Sequence, residues 1–167
     1  MKFAKVRSVK SPCRGTQKSS GIDLFVPNYN ENFVIDFKSK NPYAPVDDTG
    51  ILVHSLKRIL IPSGIKIAIP DGYDLVGYNK SGVANKKGLI LGACVIDNDY
   101  EGEIYISLIN ASDETQKINF GEKIIQVVLR EVSYENVEEV SIEDLTQLYN
   151  QRESERKEGG FGSTGSK

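Results

Sequence analysis

The sequence predicts an all-β domain with one short helix and a flexible C-terminal tail. Three observations predict it. Short segments rich in β-branched residues recur through the middle of the chain, and several alternate apolar and polar residues. Glycine-bearing turn signals punctuate them. The chain ends in GGFGSTGSK (159–167), small, flexible or polar apart from Phe161, a composition with little to pack.

In chain order, MKFAKVRSVK reads as an alternating strand with Phe3, Val6 and Val9 apolar. Asn28 to Asp48 is a long polar excursion. The strands read along the chain are FVIDFK (33–38), within that stretch, and then ILVHS (51–55), IKIAIP (65–70), YDLVGY (73–78), LILGACVID (89–97), EIYISLIN (103–110) and KIIQVVLREV (123–132). Turns fall at PSG (62–64), PDG (70–72), KSG (80–82), KKG (86–88), YEG (100–102) and NFG (119–121). So many strands at close spacing argue for a sandwich, barrel or jelly roll. SIEDLTQLYN (141–150) is the helix: Ser141 can cap it, Asp144 lies three residues on, and Leu145 and Leu148 share a face. A charged linker then runs into the tail. The expected organisation is one β domain over 1–155, with an insert at about 28–57, and a tail over 156–167.

Composition excludes several function classes. Net charge is −2 with no basic face, so long nucleic acid is not an expected partner. No apolar run approaches the ~20 residues that span a bilayer, and MKFAKVRSVK lacks a signal peptide's apolar core. Cys13 and Cys94 fit neither a metal pattern nor a disulfide framework. The expected compartment is therefore reducing: the cytoplasm, or host cytoplasm for a viral source. His54 is the single histidine, so His-based metal sites, dyads and triads would all need it. It is read as structural or surface, which leaves a carboxylate as the expected general base.

The densest carboxylate cluster is VIDNDYEGE (95–103). It opens like a calcium loop, but position 12 would be Leu108 and the flanks read as strands. The better reading is a strand entering a tight turn, with Asp97 at the junction and Tyr100 presenting a flat ring. NKSGVANKKG (79–88) offers a charge at Lys80, a hydroxyl at Ser81 and close backbone approach at Gly82, a candidate phosphate site. The tail fits the spacing of two nucleotide motifs but lacks the helix either needs. Its consecutive small residues can still form an anion-binding nest.

In order, these pieces resemble the trimeric dUTP diphosphatases (dUTPases). SSGIDLFVP (19–27), NKSGVANKKGL (79–89), GACVIDNDYEGEI (92–104), NFGEKIIQVVL (119–129) and RKEGGFGSTG (156–165) are similar to that family's five motifs. The resemblance implies a jelly-roll (β-clip) fold and a homotrimer with shared active sites. In each site a neighbour's tail closes over dUTP, which is hydrolysed to dUMP and pyrophosphate with Mg2+. It also implies residue roles. Asp97 is the base for the attacking water. Tyr100 packs on the deoxyribose, and backbone around Cys94, Val95 and Ile96 forms the uracil slot. Lys80, Ser81, Gly82 and Gln126 contact phosphates. Asp23 holds metal-bound waters or a basic neighbour. Arg156 grips the distal phosphate, Phe161 lies on uracil, and Gly162, Ser163 and Thr164 cradle the γ-phosphate. Three departures stand out: Lys80 where the family has Arg, Glu101 where it has Arg, and Lys157 where it has Gly. Two alternatives remain: a related dCTP deaminase on the same fold, whose donors and base around a cytosine amine have no signature in this sequence, and a non-catalytic dUTP-binding regulator acting through the insert.

Overall fold

Short antiparallel strands dominate the first of two units, Met1–Ser133, in the computed structural model, which describes residues 1–154 and 157–159. Among the described residues the strands are β1 (Lys2–Lys5), β2 (Cys13–Arg14), β3 (Ile22–Phe25), β4 (Gly50–Val53), β5 (Arg58–Pro62), β6 (Ile65–Ala68), β7 (Tyr73–Asn79), β8 (Leu89–Leu91), β9 (Val95–Ile96), β10 (Tyr105–Asn110), β11 (Gln116–Asn119) and β12 (Lys123–Glu131). They pair as β2-β3-β12-β7-β9, β5-β10-β8, β1-β6 and β11-β4, every pairing antiparallel.

Strand chemistry explains the layering. In β10 the buried residues Ile106, Leu108 and Asn110 alternate with half-buried Tyr105, Ser107 and Ile109, the period-2 signature of a sheet with one face in the core. β7 is an interior strand, between β12 and β9, and Asp74 to Gly77 are buried in succession. Leu24, Ile51, Ile61, Leu75, Leu108 and Ile124 meet in one core. Of the six predicted turn glycines, Gly64, Gly72, Gly88 and Gly121 adopt positive φ, while Gly102 does not and Gly82 lies within a helix.

Two helices lie in this unit where the sequence predicts none. FVIDFK is not a strand: it belongs to α1 (Glu31–Lys40). Its β-branched residues favour a strand, but Phe33 and Phe37 stand four apart and share a helix face. Both are fully buried and stacked, 5.9 Å between ring centroids, and Phe33 meets Phe120 edge-on at 5.5 Å. Asn30 Oδ1 caps the helix by accepting from Phe33 N at 2.9 Å. At the other end the Asn41 amide donates to Phe37 O and Leu60 O and accepts from Leu60 N, each at 2.8 Å. The expected polar excursion thus contains a capped helix packed against β5. The second is α2 (Ser81–Lys87), closed by Gly88 at φ 62°.

LILGACVID is not one strand either. β8 pairs with β10, while β9 joins β7 in a different sheet. Gly92 to Cys94 make the crossing.

The second unit, Tyr134–Lys167, holds α3 (Ile142–Asn150). The predicted cap is present: Ser141 Oγ accepts from Asp144 N at 3.1 Å and donates to Asp144 Oδ2 at 2.7 Å. No helix among the described residues is long and apolar enough to cross a membrane.

Candidate functional site

β12 gathers the first cluster. Its Gln126 lies opposite Asp23 of β3 on one side and Tyr78 of β7 on the other. β7 ends at Asn79, so Lys80, Ser81 and Gly82 follow at the same end of the sheet. Gln126 Nε2 donates to Asn79 O at 3.0 Å. A Cβ at Gly21 would stand 2.0 Å from Gln126 Oε1, which explains the glycine before Ile22 and Asp23. A Cβ at Gly82 would meet nothing within 4 Å, so open space lies beside it.

Asp23 is the buried charge of this cluster, 3% exposed. Lys80 Nζ donates to its Oδ1, and Lys123 Nζ stands 3.1 Å from its Oδ2. Burial alone pushes this carboxyl up. The two ammonium groups outweigh burial and hold it below the usual range. Oδ2 still has no well-formed hydrogen bond. The sequence reading missed Lys123, although the residue lies within NFGEKIIQVVL. Its signal is the β12 register, which brings it beside Asp23.

The second cluster is the turn after β9. β9 is an edge strand, with Val95 opposite Val76 and Ile96 opposite Leu75. Gly77 N donates to Cys94 O at 2.7 Å, which seats the start of this segment. Val95 is 57% exposed. An edge strand carries backbone donors and acceptors that no neighbouring strand uses. Asn98 pins the turn: its Nδ2 donates to Ile69 O, Pro70 O and Tyr73 O at 3.2, 2.8 and 3.2 Å. Tyr100 N donates to Asp97 O at 3.2 Å and closes it. The Asp97 side chain is exposed and makes no hydrogen bond or ion pair among the described residues. Tyr100 is 43% exposed, its hydroxyl donating to Glu103 O at 2.7 Å. That hydroxyl is occupied, so the ring face is what remains to offer.

The predicted site residues therefore form two groups rather than one. From Leu75, opposite Ile96, to Lys80 is five residues along β7, roughly 17 Å at about 3.3 Å each. Arg156, Phe161, Gly162, Ser163 and Thr164 lie outside the described residues. Lys157 is described and holds φ 44°, the left-handed region a glycine would enter freely. His54 is exposed beside Thr115, Nδ1 to Oγ1 3.1 Å, and belongs to neither group.

The dUTPase family model matches residues 47–165. A deoxyuridine 5'-triphosphate nucleotidohydrolase of Wolbachia pipientis subsp. Culex pipiens is 34% identical over 98% of this chain and 92% of its own. One from Finegoldia magna is 39% identical over 77% of this chain and 94% of its own. Among solved structures, the Staphylococcus bacteriophage 80alpha dUTPase with dUPNHPP superposes at TM-score 0.73, 20% identical, over 98% and 97% of the two chains. The Streptococcus mutans dUTPase superposes at 0.61, 24% identical, over 81% and 98%. The structures establish the shared fold, and the sequence matches establish kinship: this chain belongs to the dUTPase family.

Proposed function

We propose that this chain hydrolyses dUTP to dUMP and pyrophosphate, with Asp97 as the base. The observation that carries the proposal is an exposed carboxylate on a pinned turn: among the described residues the Asp97 side chain has no partner, while Asn98 and Tyr100 fix the backbone beside it. A water held by Asp97 gives up its proton to that carboxylate. Its oxygen forms a bond to the α-phosphorus, and the oxygen bridging to the β-phosphorus leaves with pyrophosphate. A positioned base of this kind typically contributes about 10²–10⁴-fold.

Substrate recognition follows from the same turn. The exposed edge of Val95 and Ile96 offers backbone groups that suit uracil's polar edge. Tyr100 offers an apolar face against deoxyribose. A ribose 2'-OH against that face would lose water and gain no partner, because the Tyr100 hydroxyl is already committed to Glu103 O. Phosphates fit the other cluster, where Lys80, Ser81, Gln126 and the space beside Gly82 stand together. A lysine supplies charge there without arginine's planar fork.

Mg2+ fits this site as a companion of the triphosphate. Among the described residues no group of three His, Cys, Asp or Glu side chains could cage a metal. Asp23 Oδ2, buried and short of a hydrogen bond, suits a metal-bound water. When bound, the ion neutralises phosphate charge.

A base and its phosphate ligands must act within about 3–3.5 Å of the reacting atoms. One chain holds Asp97 and Lys80 too far apart for that. A site assembled from copies of the chain resolves the separation, and a closed homotrimer is the assembly we propose. Arg156 and Phe161 of the tail complete it in this proposal.

Asp97→Asn tests the assignment. Turnover should fall about 10²–10⁴-fold while dUTP binding persists. Wild-type protein that binds dUTP without releasing pyrophosphate would favour a regulator. Ammonia released from dCTP would favour a deaminase.

A further inference from the structure

Tyr100 is held by a network that reaches into α1. Its hydroxyl bonds the backbone carbonyl of Glu103. Between them lies Gly102, where a Cβ would stand 2.4 Å from Tyr100 Oη. Glycine is thus required under the ring, and it leaves the backbone there free to move. On the other side of that glycine the peptide carrying the Glu103 carbonyl is held by the neighbouring strand, Ile104 N donating to Ile65 O at 2.9 Å.

The Glu103 side chain adds a second hold on that residue. Arg7 binds it in a two-point fork, Nε to Oε1 at 2.7 Å and Nη2 to Oε2 at 2.8 Å. Gly64 N donates to the same Oε1 at 2.7 Å. Arg7 is fixed in turn from α1: its Nη2 donates to Asp36 Oδ2 at 2.5 Å, and Tyr105 Oη donates to that oxygen at 3.1 Å. The pair is mostly shielded, with side-chain exposures of 17% for Arg7 and 11% for Glu103. Screening by solvent is correspondingly weak. Glu101, by contrast, is exposed and has no ion pair among the described residues, so the anchoring charge of this turn sits at position 103.

We propose that Glu103, braced by Arg7 and through it by Asp36 of α1, is a positioning residue that sets the Tyr100 ring and with it the discrimination between deoxyribose and ribose. The proposal rests on the reading of Tyr100 as the wall against the sugar. It gives the inserted helix a role in specificity: α1 is seated in the core by Phe33 and Phe37, so it presents Asp36 from a rigid base.

The test measures kcat/KM for dUTP and UTP in wild type, Glu103→Gln, Asp36→Asn and Tyr100→Phe, and in each network variant combined with Tyr100→Phe. Melting temperature is followed alongside. The dUTP-to-UTP ratio should fall about tenfold in Glu103→Gln and less in Asp36→Asn. In the Tyr100→Phe background, where the hydroxyl is gone, both should change the ratio less than about twofold. A general loss of stability would lower both substrates alike and leave the ratio in place. Unchanged ratios in Glu103→Gln and Asp36→Asn would overturn the inference alone, as would equal changes with and without the hydroxyl. A wild type that hydrolyses dUTP and UTP equally would overturn the reading of Tyr100, and the inference with it.

Discussion

Asp97 and Lys80 lie toward opposite ends of the same strand. Asp97 follows the edge strand that pairs with Leu75 and Val76, while Lys80 follows Asn79 at the far end of β7. If each reaction needs both, copies of the chain must share sites. Asp97→Asn and Lys80→Ala should each be inactive alone. In a cyclic trimer every mixed assembly contains one junction that brings an intact Asp97 to an intact Lys80. Co-expressed variants, purified by two tags, should therefore recover about a third of wild-type turnover. Mixed assemblies as inactive as their parents would mean that the two residues act within one chain.

Asp23 makes stability depend on pH. Lys80 and Lys123 overcome burial and hold its folded-state carboxyl below the ordinary 3.8. The folded protein thus binds this proton less readily than the unfolded chain. The stabilisation is fully present above the unfolded value and is lost as pH falls through the folded one. Urea midpoints measured from neutral pH to below about pH 3.8 should decline more steeply in wild type than in Asp23→Asn. Parallel curves would remove Asp23 as the cause.

Phe33 tests whether α1 is core or appendage. It is fully buried, stacked on Phe37 and in edge contact with Phe120. Phe33→Ala should cost about 3–5 kcal/mol in denaturant unfolding. A loss below about 1 kcal/mol would mean that the helix unfolds separately from the sheets.

Deletion of residues 156–167 tests the expectation placed on the tail. The shortened protein should fold and assemble, yet turn over dUTP poorly. Base–aromatic stacking of the kind expected of Phe161 is worth ~1–3 kcal/mol. Full activity after deletion would remove Arg156 and Phe161 from the site.

Much of the fold is legible in the sequence because sheet burial leaves a local trace. β10 and β12 show it as apolar periodicity, and Gly64, Gly72, Gly88 and Gly121 show it as positive φ. α1 is not legible, because FVIDFK satisfies both periods over so short a stretch. Phe33 and Phe37 share a face only once helical, and what selects the helix is the pocket that receives both rings. β3, β5 and β11 also escape a local reading, being short and paired across long separations. The site divides in the same way. Asp97 and Tyr100 are close in sequence and can be read as a unit. The company of Asp23 with Lys80 and Lys123 depends on the register of three strands. Arg7 and Glu103, 96 residues apart, carry no sequence signal that joins them.

The central claim is tested most directly by pyrophosphate release from dUTP, UTP, dTTP and dCTP, each with Mg2+. The predicted result is rapid release from dUTP, with the other three slower by orders of magnitude. Comparable release from UTP would contradict the role given to Tyr100. Release from dTTP at the rate of dUTP would contradict the uracil slot at Val95 and Ile96. No release from dUTP at all would contradict the account as a whole.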